Sequence, residues 1–192
     1  EVSTTQTETV RPIIFSTDDN FDIYPPELLR VATLRKNGTA EIIDKDWDIE
    51  ALVKGDDYVD LFSKEPQNGD AFYFGFKNNL SHHLLRMELD FDPIQGIGIR
   101  TEKPPRSWEY WSTQENRWMP IEQDGLADET KGMNVRGRIE LHLPHLVQTT
   151  IADESLYWLR VVAKQPTLEE ERRAGVRGYK RSPRLLQIIE VA

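Results

Sequence analysis

The sequence contains no cysteine. Disulfides and thiolate-held metal ions are therefore excluded, and cysteine usage leaves no mark of a compartment. No apolar run approaches the roughly 18 residues of a membrane-spanning helix, so membrane insertion is not expected. No secretory leader is visible. Positive charge is scarce: 24 Lys and Arg face 33 Asp and Glu, for a net charge of −9. Duplex binding needs a basic footprint, so nucleic acid is not expected as a partner. What remains is 192 residues, 38 % hydrophobic and 30 % charged, enough for one large domain with a real core. The chain begins at Glu1, and an internal piece of a longer polypeptide is the expectation.

One stretch organises the rest. Ser107–Ile121 holds three of the five tryptophans. Ser107–Trp111 alternates, placing Trp108 and Tyr110 on one face and Glu109 and Trp111 on the other. Ser112–Asn116 is polar and turn-like, and Arg117–Ile121 returns. This is the pattern of a β-hairpin. A two-stranded ribbon is marginal alone, so its rings must pack on a larger sheet or meet a partner. Large aromatics are mostly buried, and core packing is the plain reading. The sharper one makes Trp108, Tyr110, Trp111 and Trp118 stacking surfaces for a ligand.

Taken in order, residues 1–8 read as a frayed or linking segment. Val10–Ser16 can form a strand, and Thr17–Asn20 a turn. Pro25-Pro26 is expected to open a helical turn through Glu27–Arg30. Val31–Leu34 reads as a strand ending at the turn signal Asn37-Gly38. Asp44–Asp60 is rich in carboxylates and is expected to be a surface connection, not a central strand. Ile49–Val53 within it suits one helical turn.

From Asp70 onward period two takes over. Phe72, Phe74 and Phe76 share a face. Leu85, Met87, Leu89 and Phe91 alternate with Arg86, Glu88 and Asp90, which describes a half-buried antiparallel strand. Pro93–Gly98 breaks that strand. Ile139, Leu141 and Leu143 point inward, with Glu140 and His142 outward, until Pro144. Tyr157, Leu159 and Val161 oppose Trp158, Arg160 and Val162. Leu168–Arg173 is a short helical candidate, and Pro183–Val191 is the last strand. Many short strands with few helices predict a mainly β fold: an antiparallel β-sandwich, jelly-roll-like, with one or two short helices. The expected division is a connecting segment with short strands over 1–65, packed on a sandwich over 66–192.

The search for chemistry yields little. His82, His83, His142 and His145 sit in no serine elbow, and no Gly-x-Ser-x-Gly occurs. His142 and His145 flank Pro144 without a further obvious ligand, so no metal site is assigned. His82-His83 follows Asn78-Asn79 and reads as a solvated connection. Asp18, Asp19, Asn20 and Asp22 offer hard oxygens but lack the glycine and closing glutamate of a calcium loop. Nothing sets two of the Asp44–Asp60 carboxylates across a substrate. Gly96-Ile97-Gly98 lacks the helix and third glycine of a dinucleotide site. No catalytic residue, no enzyme activity and no cofactor are expected.

One feature opposes the chain average. Arg172, Arg173, Arg177, Lys180, Arg181 and Arg184 form a basic run around Gly175 and Gly178. A solvated loop is the plain reading. A dock for an acidic neighbour, such as Asp44–Asp60 of another copy, is the sharper one, with the two glycines keeping the loop adaptable.

Several segments, in order, carry a likeness. They are Phe15-Ser16-Thr17-Asp18-Asp19-Asn20-Phe21 with Pro25-Pro26; Ala71-Phe72-Tyr73-Phe74-Gly75-Phe76; Trp108-Glu109-Tyr110-Trp111 with Trp118; Gly137 to Pro144; Tyr157-Trp158-Leu159-Arg160; and Ser182-Pro183. In these the chain resembles the large baseplate assembly proteins (baseplate J-like) of contractile phage tails and related injection particles. The likeness spans about Val10 to Val191. It implies a non-catalytic structural domain, placed in a virion tail or injection-particle baseplate and assembled in the cytoplasm. Its partners would be other baseplate or tail subunits, and the isolated domain is expected to be monomeric. The rival is a carbohydrate-binding sandwich module whose exposed tryptophans attach to a host surface.

Overall fold

Period-two alternation becomes strand almost wherever it occurs, because alternate side chains of a pleated strand face opposite sides of its sheet. The computed structural model describes residues 24–37, 40–47, 49–93, 99–101, 103–175 and 177–192. The strands of the first half are β1 (Leu28–Asn37), β2 (Ala40–Trp47), β3 (Val59–Asp60), β4 (Ala71–Phe76) and β5 (Leu84–Phe91). The hairpin supplies β6 (Arg106–Ser112) and β7 (Arg117–Pro120). Then come β8 (Leu126–Asp128), β9 (Gly137–His142), β10 (Gln148–Ile151), β11 (Glu154–Ala163) and β12 (Arg184–Val191). Two short helices accompany them, α1 (Ile49–Lys54) and α2 (Leu168–Ala174).

These strands form two antiparallel sheets packed as a sandwich. The first runs β2-β1-β4-β11-β6-β7, and the second β3-β12-β5-β9-β8. In the first, β10 pairs with Glu154–Tyr157 of β11, while β6 pairs with Leu159–Ala163. The chain crosses between sheets from β2 to β3, β3 to β4, β4 to β5, β5 to β6, β7 to β8, β9 to β10 and β11 to β12. Segment 28–60 contributes to both sheets through β1, β2 and β3.

The main core lies between the sheets. Phe72, Phe74 and Phe76 line up with Val31, Leu159, Val161 and Trp108 from the first sheet. Leu85, Met87, Leu89, Phe91, Ile139 and Leu141 meet them from the second. A second apolar cluster sits on the outer face of the first sheet: Ala32, Leu34, Ala71, Tyr73, Leu156, Trp158 and Val162. Strand β4 is therefore buried on both faces. Gly75 on that strand is a close-approach position, since a Cβ there would come within 2.7 Å of the Trp158 ring. Buried charge bridges the two sheets where Arg106 of β6 pairs with Asp128 of β8.

Several expectations meet their counterparts. Trp111 lies opposite Trp118 in the hairpin register. Ile139, Leu141 and Leu143 are inward. The helical turn expected over Glu27–Arg30 is instead the entry to β1. Leu28 and Arg30 pair with Phe76 and Gly75 across a bulge, so ladder bonds to β4 outweigh the local Pro-Pro signal. The acidic stretch is partly strand, but only at sheet edges: β2 ends the first sheet and β3 the second, with α1 between them. The strand expected at Val10–Ser16, the turn at Thr17–Asn20, the Asp18–Asp22 oxygens, Gly38 and Gly96-Ile97-Gly98 lie outside the described residues.

Candidate functional site

The hairpin aromatics divide by face. Trp108 points into the core, is 1 % exposed and sits with its ring centroid 5.7 Å from that of Phe74. It has no open face to offer a ligand. Tyr110 shares that side, half-buried, and borders a cleft of about 470 Å³ with Met119, Ile121, Asp124 and His142. Trp111 and Trp118 lie half-buried on the outer face. Their centroids are 5.7 Å apart, but the planes meet at 72°, so they form no flat platform.

Trp118 is further occupied by the protein itself. The Arg160 guanidinium lies 4.4 Å over its ring, a favourable cation–π placement. Arg160 is held there by Glu109, which accepts from its Nε at 2.9 Å and from an Nη at 2.7 Å. Lys164 Nζ reaches the other Glu109 oxygen at 2.9 Å. Burial pushes the Glu109 carboxyl up, but the hydrogen bonds and charge of Lys164 and Arg160 outweigh it and hold the group below the usual carboxylate range. Glu109 is thus an ionised anchor that orients Arg160.

The basic run is not a loose loop. Thr167 caps α2 with a reciprocal Thr167–Glu170 box, and Gly175 closes the helix in the left-handed region at φ 60°. Arg172 and Arg173 fall in the last turn, where a cation suits the helix dipole. From Tyr179 to Pro183 the chain is held by contacts to the body of the sandwich. Tyr179 is buried, its ring centroid 5.7 Å from that of Phe62, and its hydroxyl donates to the Gly132 carbonyl at 3.0 Å. Burial pushes the Tyr179 phenol well up, so it stays protonated. Ser182 Oγ accepts from the Phe62 amide at 2.8 Å, and the Pro183 carbonyl accepts from the Leu61 amide at 2.9 Å. Gln165 Nε2 donates to Pro66 O at 2.9 Å and to Tyr179 O at 2.8 Å.

Gly178 is buried against that amide, and a Cβ there would fall 1.8 Å from Gln165 Oε1. The two glycines therefore serve a helix cap and a close approach.

The six basic residues separate into two groups. Arg173 pairs with Glu169 at 2.7 Å. Arg184 pairs with Asp60 at 3.0 Å and stacks 4.2 Å over Tyr58. Part of the acidic stretch is thus matched within the chain. Arg172, Arg177, Lys180 and Arg181 are exposed and have no carboxylate partner among the described residues. Arg172, Arg177 and Lys180 line a cleft of about 650 Å³ with Pro66, Pro166 and Tyr179. Lys180 and Arg181 also line an adjoining one with Lys64.

Lys64, Gln165 and Arg160 escape sequence reasoning because their neighbours are distant in the chain. So does the stacking of His82 on His145, with centroids 6.1 Å apart. Among the described residues no three His, Cys, Asp or Glu side chains converge as metal ligands, and no helix is long and apolar enough to cross a membrane.

The fold and these surfaces define the class of protein: a mainly β, two-sheet antiparallel sandwich. No family model matches the chain, and no curated protein matches it in sequence. The family likeness therefore rests on its short ordered motifs alone.

Proposed function

We propose that this chain is a non-catalytic structural domain of a contractile phage tail or injection-particle baseplate, acting through protein–protein contacts. One observation carries the choice over sugar binding. The tryptophan hairpin is engaged by the molecule's own side chains, with Trp108 in the core, Trp118 under Arg160 and Trp111 edge-on to Trp118. Stacking on a sugar needs an open ring face, and these rings act as packing elements. The order of the motifs supports the same reading, and the exposed cations beside two clefts provide a surface for contact. The experiment is to purify contractile particles from the source of the chain and quantify it by mass spectrometry. The chain should be present in fixed ratio to tail subunits. Its absence from intact particles overturns the proposal.

The carbohydrate-binding reading draws on a different observation, the cleft in which Tyr110 lies near Asp124 and His142. An aromatic ring beside hydrogen-bonding groups suits a sugar. A glycan array decides it: binding that Tyr110→Ala abolishes favours this reading, and an array without signal removes it.

A further inference from the structure

The reading as a contact domain leaves open what it contacts. We propose that the cleft formed by Arg172, Arg177, Lys180, Pro66, Pro166 and Tyr179, extended by Arg181 and Lys64, docks an extended acidic peptide segment of a partner chain. The proposal rests on that reading and names the chemistry of the partner.

Four observations converge. First, cations outnumber carboxylates in both linings: three against Glu171 in the larger cleft, and four against Asp60, Glu65 and Asp92 in the other. Second, the cations are selectively unpaired. The fold neutralises Arg173 with Glu169 and Arg184 with Asp60, yet among the described residues Arg172, Arg177, Lys180 and Arg181 have no carboxylate partner, in a chain of net charge −9. Such a chain has carboxylates to offer, so this positive patch is a local property of the surface.

Third, the described backbone beside the cleft is held by contacts from distant segments. Tyr179 is tied to Gly132 and Phe62, Ser182 to Phe62, and Gln165 clamps residues 66 and 179 together. An anion arriving there meets charges on a fixed frame, so less ordering entropy opposes binding. Fourth, the larger cleft has an apolar edge at the half-buried Pro166, backed by the buried Pro66, which suits the stem of an acidic side chain or a neighbouring apolar residue.

The competing demands on each cation rank them. The last carbonyls of α2 already attract Arg172, so Arg177 and Lys180 are the strongest anion partners. The occupant is a peptide and not a nucleic acid because the rest of the chain is acidic. A dense polyanion would be repelled beyond the patch, whereas a short acidic segment engages the patch alone.

The test uses the intact 192-residue chain and a fluorescein-labelled Glu-Ala repeat peptide of about twelve residues, some 40 Å when extended. Anisotropy is recorded at about 0.05 M and about 0.5 M salt. Saturable binding at low salt that weakens at high salt is expected. Reversing Arg177, Lys180 and Arg181 together to Glu should weaken it about tenfold or more. Reversing the remote, paired Arg30, Lys77 and Arg117 to Glu changes net charge equally and should cost less than about twofold.

No binding at low salt, equal losses in the two triple variants, or tighter binding of an oligothymidylate of the same length each overturns the docking site. Thermal melts of both variants confirm that the comparison is between folded proteins. The two readings fail separately. A chain that binds the peptide but is missing from contractile particles overturns the baseplate reading and keeps the cleft; a chain present in particles that ignores the peptide does the reverse.

Discussion

Two regions rich in conspicuous side chains meet opposite fates. In the hairpin, Trp108 is sealed in the core, Glu109 holds Arg160 and Lys164, and Arg160 covers Trp118. In the basic segment Tyr179 and Ser182 are tied to the body of the sandwich, but Arg177, Lys180 and Arg181 are exposed without carboxylate partners among the described residues. The difference separates two uses of a charged or aromatic group. When neighbours occupy it, its interaction free energy goes into the fold. When it stands exposed on an ordered frame, it adds little to stability and is available for association.

Stability measurements can break this contrast, and the core variants should show the largest effects. Trp108→Ala should lower unfolding free energy by about 3–5 kcal/mol, and Leu141→Ala by about 2–5 kcal/mol, in urea denaturation. A loss under about 0.5 kcal/mol for Trp108→Ala would place that ring at the periphery and erase the distinction.

Glu109→Gln comes next. It leaves the largely buried Arg160 without its counter-charge and should cost about 2–4 kcal/mol. Its pH signature is specific. The Glu109 carboxyl titrates lower in the folded protein than in the unfolded chain. Its contribution is therefore complete above about pH 4.5 and is lost as pH falls through the lower folded value. The variant should flatten that acid limb of the stability–pH curve. An unchanged limb would show that Glu109 is not the anchor.

Gly178→Ala sharpens the comparison from the other side. Its methyl group would collide with Gln165 Oε1 and press on Pro166 Cδ, at 1.8 and 2.9 Å. A loss of about 1–3 kcal/mol is expected, with faster amide exchange at Tyr179 and Ser182 than at the hairpin. Wild-type stability would mean that the segment is looser than its contacts indicate. The smallest effect belongs to the exposed cations: reversal of Arg177, Lys180 and Arg181 to Glu should change unfolding free energy by less than about 0.5 kcal/mol. A larger loss would assign them to the fold and end the contrast.

Local pattern determined the strands and much of the core. Phe72, Phe74 and Phe76, the alternation from Leu85 to Phe91, and the inward Ile139, Leu141 and Leu143 were legible because burial on one sheet face imposes period two. The hairpin was legible because its strands are adjacent in the chain. The entry of β1 was not, since a Pro-Pro signal is local while the ladder to Phe76 and Gly75 joins residues far apart. The candidate site was half legible. Composition marks Arg172 to Arg184 as basic, but only tertiary structure decided that Arg173 and Arg184 are neutralised, that Lys64 joins the rim and that Gln165 fixes the wall. Charge is a property of residue type and can be read in order. Whether a charge is paired depends on which distant segments the sandwich brings within a few ångströms, and that is settled only when the sheets close.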